Sequence, residues 1–265
     1  MPAAYAHYVF GKKVFAELPR KEKQIIRRGR DAFLLGLHGP DLLFYFYPLK
    51  KNRVNQLGSR MHEEIAADFF NKGKENYQKK KDPVLRAYLY GFLCHYILDS
   101  ECHPYVAYYM EERGLGHLAV ETELDRYLME VDGLDPLDYV PVHHLISRAH
   151  TRSQIASMFE DVTKEQIDIS IRMFRRIITF LVCRSPLKRR LLTFICRVTG
   201  QKNHFGELIM DGRVHPSCEE SDWFLEERLN HGVQIAVQEI ENYSRVLESD
   251  AALSERLYQN YEGML

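Results

Sequence analysis

The sequence predicts an all-α protein, a single-domain helical bundle with a multinuclear metal cleft, and three observations carry that prediction. Apolar residues recur close to the 3.6-residue helical period along most of the chain. Prolines and a Gly-Pro step at Pro19, Gly39-Pro40, Pro48 and Pro83 punctuate those runs where helices must stop or restart. Histidines and carboxylates four residues apart gather on the most apolar run, the pattern by which helical bundles build metal sites.

The elements follow in order. A first helix is expected over about residues 2–18, with Tyr5, Val9, Val14 and Leu18 on one side and Pro19 as its stop. A second, about 21–37, stacks Ile25, Ile26, Phe33, Leu34 and Leu37 and ends at His38-Gly39-Pro40-Asp41. The aromatic run 42–47 suits a short helix. Another helix is expected over 59–80 through Met61, Ile65, Phe69 and Phe70. Asp82-Pro83 reads as N-cap plus first-turn proline, since proline lacks an N–H that the first turn cannot pair. The helix that follows, 84 to about 102, is apolar all round and therefore central, with Pro104 ending or kinking it. A helix over 118–131 precedes a two-proline loop at 132–141 and a helical stretch over 143–160. Thr163 and Gln166 form a capping-box pattern before 167–183. Ser185-Pro186 restarts a short basic-apolar helix, 187–198. Residues 200–222 show no period and read as a long loop, and helices over 223–247 and 251–261 close the chain.

Composition narrows the class. Of 265 residues 45% are hydrophobic and 28% charged, and 36 Lys+Arg against 37 Asp+Glu leave a formal net charge of −1. One folded domain over 1–265 fits; a disordered chain and a globally basic nucleic-acid binder do not. The five cysteines are odd in number and form no CxxC pair, against a disulfide scaffold or a Cys-rich zinc module. The start lacks the order of a secretory signal, and no apolar run of about 18 residues appears, so a cytoplasmic protein is expected.

Twelve histidines remain to be explained. The sharpest signal is His95-x3-Asp99-x3-His103. Residues four apart on a helix differ by about 40° in azimuth and about 6 Å in rise, so all three lie on one stripe. Imidazoles and a carboxylate on a buried face are costly unless paired or metal-bound. His117-x3-Glu121 repeats the geometry, with Asp125 one turn on, and His7, Asp41 and His62 are further candidates upstream. Nitrogen and oxygen donors without thiolates suit zinc in a hydrolytic site, and manganese or iron would tolerate the same set. Cys94 and Cys102 sit one position off the stripe and are not proposed as ligands. His143, His144, His150, His204, His215 and His231 read as ordinary histidines.

The segments PAAYAHYVFG, HGPDLLFYFYP, MHEEIA, AYLYGFLCHYILDSECHPYV and GHLAVETELD, spanning about residues 2–125, resemble the zinc-dependent phospholipase C family, relatives of the single-strand-specific zinc nucleases. The resemblance implies an all-helical fold holding three zinc ions in a cleft and hydrolysing phosphodiesters. By position, it implies that His62, His95 and Asp99 hold one zinc and that His103, His117 and Glu121 hold a second. His7 would hold the third with the chain's terminal amine and first carbonyl, and Asp41 matches the carboxylate beside the attacking water, the general base. The expected function is a zinc-dependent phosphodiester hydrolase of the phospholipase C type, carrying two to three Zn2+ and acting on a phospholipid or related phosphodiester. A zinc nuclease-like phosphodiesterase and a non-catalytic metal-binding protein are the alternatives; the near-neutral charge gives no electrostatic footprint for nucleic acid. The aromatic run Phe44 to Tyr47 reads either as pocket lining or as core. The basic-apolar helix around Arg184, Lys188, Arg189 and Arg190 reads either as a peripheral contact with an anionic membrane or as a solvated helix end.

Overall fold

The computed structural model describes residues 4–263, and among them it contains eleven α-helices, two 3-10 turns, one π turn and no strand. The helices are α1 (Ala4–Glu17), α2 (Arg20–Arg28), α3 (Arg30–Gly36), α4 (Arg53–Glu63), α5 (Ala66–Lys80), α6 (Pro83–Arg113), α7 (His117–Val131), α8 (Ala149–Ala156), α9 (Lys164–Leu181), α10 (Pro186–Val198) and α11 (Glu219–Glu248). The 3-10 turns are Gly39–Tyr45 and Glu255–Tyr258, and the π turn is Lys202–Gly206. The all-α prediction holds.

The predicted caps are present. Asp82 accepts from the Val84 N–H at 2.8 Å ahead of Pro83. Thr163 and Gln166 exchange side-chain and backbone hydrogen bonds at 2.8 and 3.2 Å.

Several boundaries differ from the sequence reading, each for a local reason. The helix expected over 21–37 breaks at Gly29, whose missing side chain lets the chain close on α6; a Cβ there would lie 2.5 Å from that of Ala87. The helix expected over 59–80 starts earlier, at a capping box between Asn52 and Asn55, and is interrupted by an extended Glu64-Ile65. The backbone groups freed there are taken by the C-terminal segment: Ala66 N–H donates to Gln259 O and Tyr261 N–H to His62 O. α6 does not end near Cys102 but continues through Pro104 to Arg113, held by the burial of Val106 and Tyr109 beyond the proline. Only residues 149–156 of the stretch 143–160 are helical, and 251–261 retains a single 3-10 turn. The loop after residue 200 contains the π turn, and α11 begins at Glu219 rather than at Trp223.

α6 is the axis of the molecule, with 20 of its 31 residues buried. That is why its periodicity is all round rather than one-sided. α3 crosses it at backbone distance: a Cβ on Gly36 would meet Tyr88 O at 2.4 Å, and one on Gly91 would meet Phe33 O at 2.1 Å. α11 runs beside α6 and is tied to it by Arg86, which pairs with Glu248 and donates to Ser244 Oγ at 2.6 Å and Tyr90 Oη at 2.8 Å. A buried guanidinium is tolerable only with its donors satisfied in this way. α1 and α7 pack together against α6, so three helices present one face each to a common interior.

Candidate metal centre

Five elements deliver the eight singled-out side chains to one place. α1 carries His7, the Gly39–Tyr45 turn carries Asp41, and the end of α4 carries His62. α6 supplies His95, Asp99 and His103 on successive turns, and α7 supplies His117 and Glu121. Gly39, at φ +45°, makes the turn that aims Asp41 inward, and its bare Cα leaves room for the His95 ring.

Asp99 is the hub. Its Oδ2 lies 3.0 Å from His95 Nε2 and 3.6 Å from His62 Nε2, and its Oδ1 lies 3.3 Å from His7 Nε2 and 3.7 Å from His103 Nε2. Asp41 Oδ1 is 3.1 Å from His62 Nε2, with Oδ2 3.8 Å from His95 Nδ1. On the other side, Glu121 Oε1 is 2.9 Å from His117 Nε2 and 3.5 Å from His103 Nε2. Among the described residues three sets have donor atoms mutually close enough for one ion: His7, His95 and Asp99; Asp41, His62 and His95, which shares His95 with the first; and His103, His117 and Glu121, which stands apart from both.

The electrostatics follow from burial and crowding. Burial pushes the Asp99 carboxyl up, but His95, His103 and His7 outweigh it and hold Asp99 well below the usual carboxylate range. Asp41 and Glu121 are lowered in the same manner, Asp41 by His95 and His62, Glu121 by His117 and His103. For His103, burial works downward, yet Asp99, Glu121 and Glu262 hold the imidazole well above its ordinary value; His7 is raised by Asp99 against the same burial. His95, fully enclosed and next to His7, is lowered by burial. These directions favour ionised carboxylates at Asp99, Asp41 and Glu121 and protonation of His103 and His7.

The donor set fits divalent metal. His7 Nδ1, His95 Nδ1 and Glu121 Oε2 are buried and have no hydrogen-bond partner among the described residues. Buried polar atoms left this way are expensive unless something coordinates them. His62 is oriented for such a role. Its Nδ1 faces Gly58 O at 2.8 Å and donates there, which turns Nε2 toward Asp41 and Asp99.

Other groups complete the surroundings. Asp125 accepts from the Tyr5 and Ala6 N–H groups at 2.9 and 2.7 Å, fixing the start of α1 and with it His7; burial pushes its carboxyl up to about 7. The contact expected between the terminal amine and a third ion falls on residues 1–3, outside the described residues. Sequence reasoning missed Tyr261 and Glu262. The Tyr261 ring packs 5.2 Å from that of His62, and Glu262 Oε1 lies 3.4 Å from His103 Nδ1. No signal marked them, because they arrive from the far end of the chain. His38 and His144 also proved to be placed behind the centre, their Nε2 atoms 3.4 Å apart. Cys94 and Cys102 are buried thiols outside all three donor sets. The aromatic run divides: Tyr45 stacks on Phe174 in the core, whereas Phe44 lies against His62 and lines a cavity of about 460 Å³.

A helical bundle whose interior gathers imidazoles and carboxylates from five separate elements has the donor arrangement that helical bundles use to bind metal. The zinc-dependent phospholipase C family matches residues 6–175, and the chain belongs to that family. No curated protein and no solved structure matches the chain.

Proposed function

We propose that this protein is a zinc-dependent phosphodiester hydrolase of the phospholipase C type, acting on a phospholipid or related phosphodiester. The observation that carries the proposal is the convergence of four imidazoles, from His7, His62, His95 and His103, on the single carboxylate of Asp99, with His117 and Glu121 alongside His103.

In this reading His62, His95 and Asp99 would hold one zinc, His103, His117 and Glu121 a second, and His7, beside Asp99, would help to hold a third. Zinc held there would supply Lewis acidity for a phosphodiester and for a water, so that no protein nucleophile is required. Asp41 would be the group placed to orient a nucleophilic water and accept its proton. Its carboxyl, held ionised by His95 and His62, is a competent acceptor, and its place on a rigid 3-10 turn keeps it aimed. Asp99 keeps neighbouring ligand sets in register because each of its oxygens faces a different pair of imidazoles. Phe44 and the cavity beside α4 offer room for the part of the substrate that does not react.

The test is metal analysis followed by turnover. Protein never exposed to chelator is expected to carry two to three zinc equivalents. It is then expected to hydrolyse phosphatidylcholine or bis-p-nitrophenyl phosphate, but not single-stranded DNA, and to stop when chelator is added. Asp41→Asn is expected to keep most of the zinc and lose turnover. Zinc-free protein, or turnover indifferent to chelator, would overturn the proposal.

A further inference from the structure

The outward face of α10 is apolar where a surface helix should be polar. Leu187, Leu191, Phe194, Ile195 and Val198 fall within about 100° of azimuth and form a strip about 17 Å long. Their exposure runs from 45% at Ile195 to 77% at Leu187, while the opposite side buries Leu192 and Cys196. Single exposed apolar residues are ordinary, but five in one strip mark a contact surface.

Cations border the strip. An open groove of about 680 Å³ beside it is lined by Arg189, Arg190, Arg197 and Arg213, with Asp211 the one acidic residue of the lining. Arg189 is partly engaged, donating to Cys183 O and Arg184 O, and lies 4.0 Å from Asp211. Arg190, Arg197 and Arg213 have no carboxylate partner among the described residues. The cations singled out from sequence are used differently. Arg184 pairs with Asp135 and Asp138, and Lys188 donates to Phe180 O and Val182 O, so both fasten α10 to the body of the protein.

The strip is also well placed. α10 runs directly into Gln201, His204 and Phe205, which line the same cavity as Phe44 and Glu63, beside His62. It lies beyond the family-matched segment 6–175.

We infer that α10 is an interfacial docking helix for an anionic phospholipid bilayer. Leu187, Leu191, Phe194, Ile195 and Val198 enter the headgroup–acyl boundary, and Arg190, Arg197 and Arg213 meet lipid phosphates. Apolar insertion plus cationic attraction is how such helices bind without spanning, and no described helix is long and apolar enough to cross a membrane. The unpaired arginines supply the charge complementarity. The choice of lipid over protein rests in part on the phosphodiester reading of the cleft.

The test is flotation of the full chain with vesicles of phosphatidylcholine mixed with phosphatidylserine, and with pure phosphatidylcholine, each with and without chelator. The protein is expected to float with the anionic vesicles whether or not chelator is present. The double variant F194E/V198E should lower partitioning about tenfold or more. R190E/R197E should lower it by roughly fivefold per charge at low salt and erase the preference for phosphatidylserine. Both pairs are solvent-facing, so helical circular dichroism and hydrolysis of bis-p-nitrophenyl phosphate should be unchanged. Wild-type protein that ignores anionic vesicles, or binding that neither variant alters, overturns the inference. So does a dimer that F194E/V198E dissociates without affecting vesicles, which would assign the strip to a second copy of the chain. Variant-sensitive vesicle binding in a protein that hydrolyses nothing supports docking and counts against the phosphodiester reading instead.

Discussion

Replacing Gly39 by alanine tests whether backbone shape, and not ligand identity alone, builds the centre. Gly39 sits at φ +45°, and a Cβ added there would lie 2.1 Å from His95 Cδ2, 2.5 Å from Cγ and 2.7 Å from Nε2. The ring cannot retreat: it is fully buried, stacked 4.5 Å from His7, with Phe92 and Tyr261 on its other sides. Two costs add. An L residue in the left-handed region costs about 1–2 kcal/mol, and overpacking a closed interior costs about 1–3 kcal/mol. Gly114→Ala separates them, because Gly114 has φ +63° and nothing within 4 Å of an added Cβ. The difference between the two variants isolates the collision with His95, about 1–3 kcal/mol, or roughly 2–12 °C in Tm for a protein of this size. Thermal melts in chelator keep metal linkage out of the comparison, and metal analysis of zinc-loaded protein then reports the ligand. Gly39→Ala is expected to melt lower than Gly114→Ala and to lose at least part of its zinc, while Gly114→Ala keeps wild-type content. Equal melting points and equal zinc in the two variants would refute the reasoning.

Zinc binding is expected to release protons, because Asp99 and Glu121 hold His103, and Asp99 holds His7, above the ordinary imidazole value. Affinity should therefore weaken as pH falls, and calorimetric titration in buffers of different ionisation enthalpy measures the proton count, with zero release as the refuting result. Asp222, pushed up to about 8 by burial and by Glu123, binds a proton in the folded state that the unfolded chain releases near pH 4. The stability this contributes is present at low pH and lost as pH rises through about 8, so Asp222→Asn should flatten the fall in urea stability between pH 5 and 8. An unchanged slope would count against a protonated Asp222. Cys94 and Cys102, buried thiols pushed far up by burial, should resist thiol reagents in the native protein and react only after unfolding, as a timed labelling experiment would show.

Much of the centre was legible because helical geometry is local. His95, Asp99 and His103 share a stripe by spacing alone, as do His117 and Glu121, and no knowledge of the rest of the chain is needed to place them side by side. The same locality made the Asp82 and Thr163 caps readable. Elements failed where a neighbour overrode the pattern: the chain breaks at Gly29 to approach Ala87, and Glu64-Ile65 stays extended because Gln259 and Tyr261 supply hydrogen-bond partners to the chain on either side of it.

Periodicity and residue chemistry were enough to specify a helical protein, a central α6 and the metal-type donors carried on its turns. They could not specify that Tyr261 and Glu262 close over those donors, that Asp99 meets four imidazoles from three separate helices, or that Arg184 and Lys188 are consumed internally while Arg190 and Arg197 have no carboxylate partner among the described residues. Side-chain spacing along one helix is set by covalent geometry, whereas contacts between residues on different elements exist only once the core has packed and chosen which faces meet.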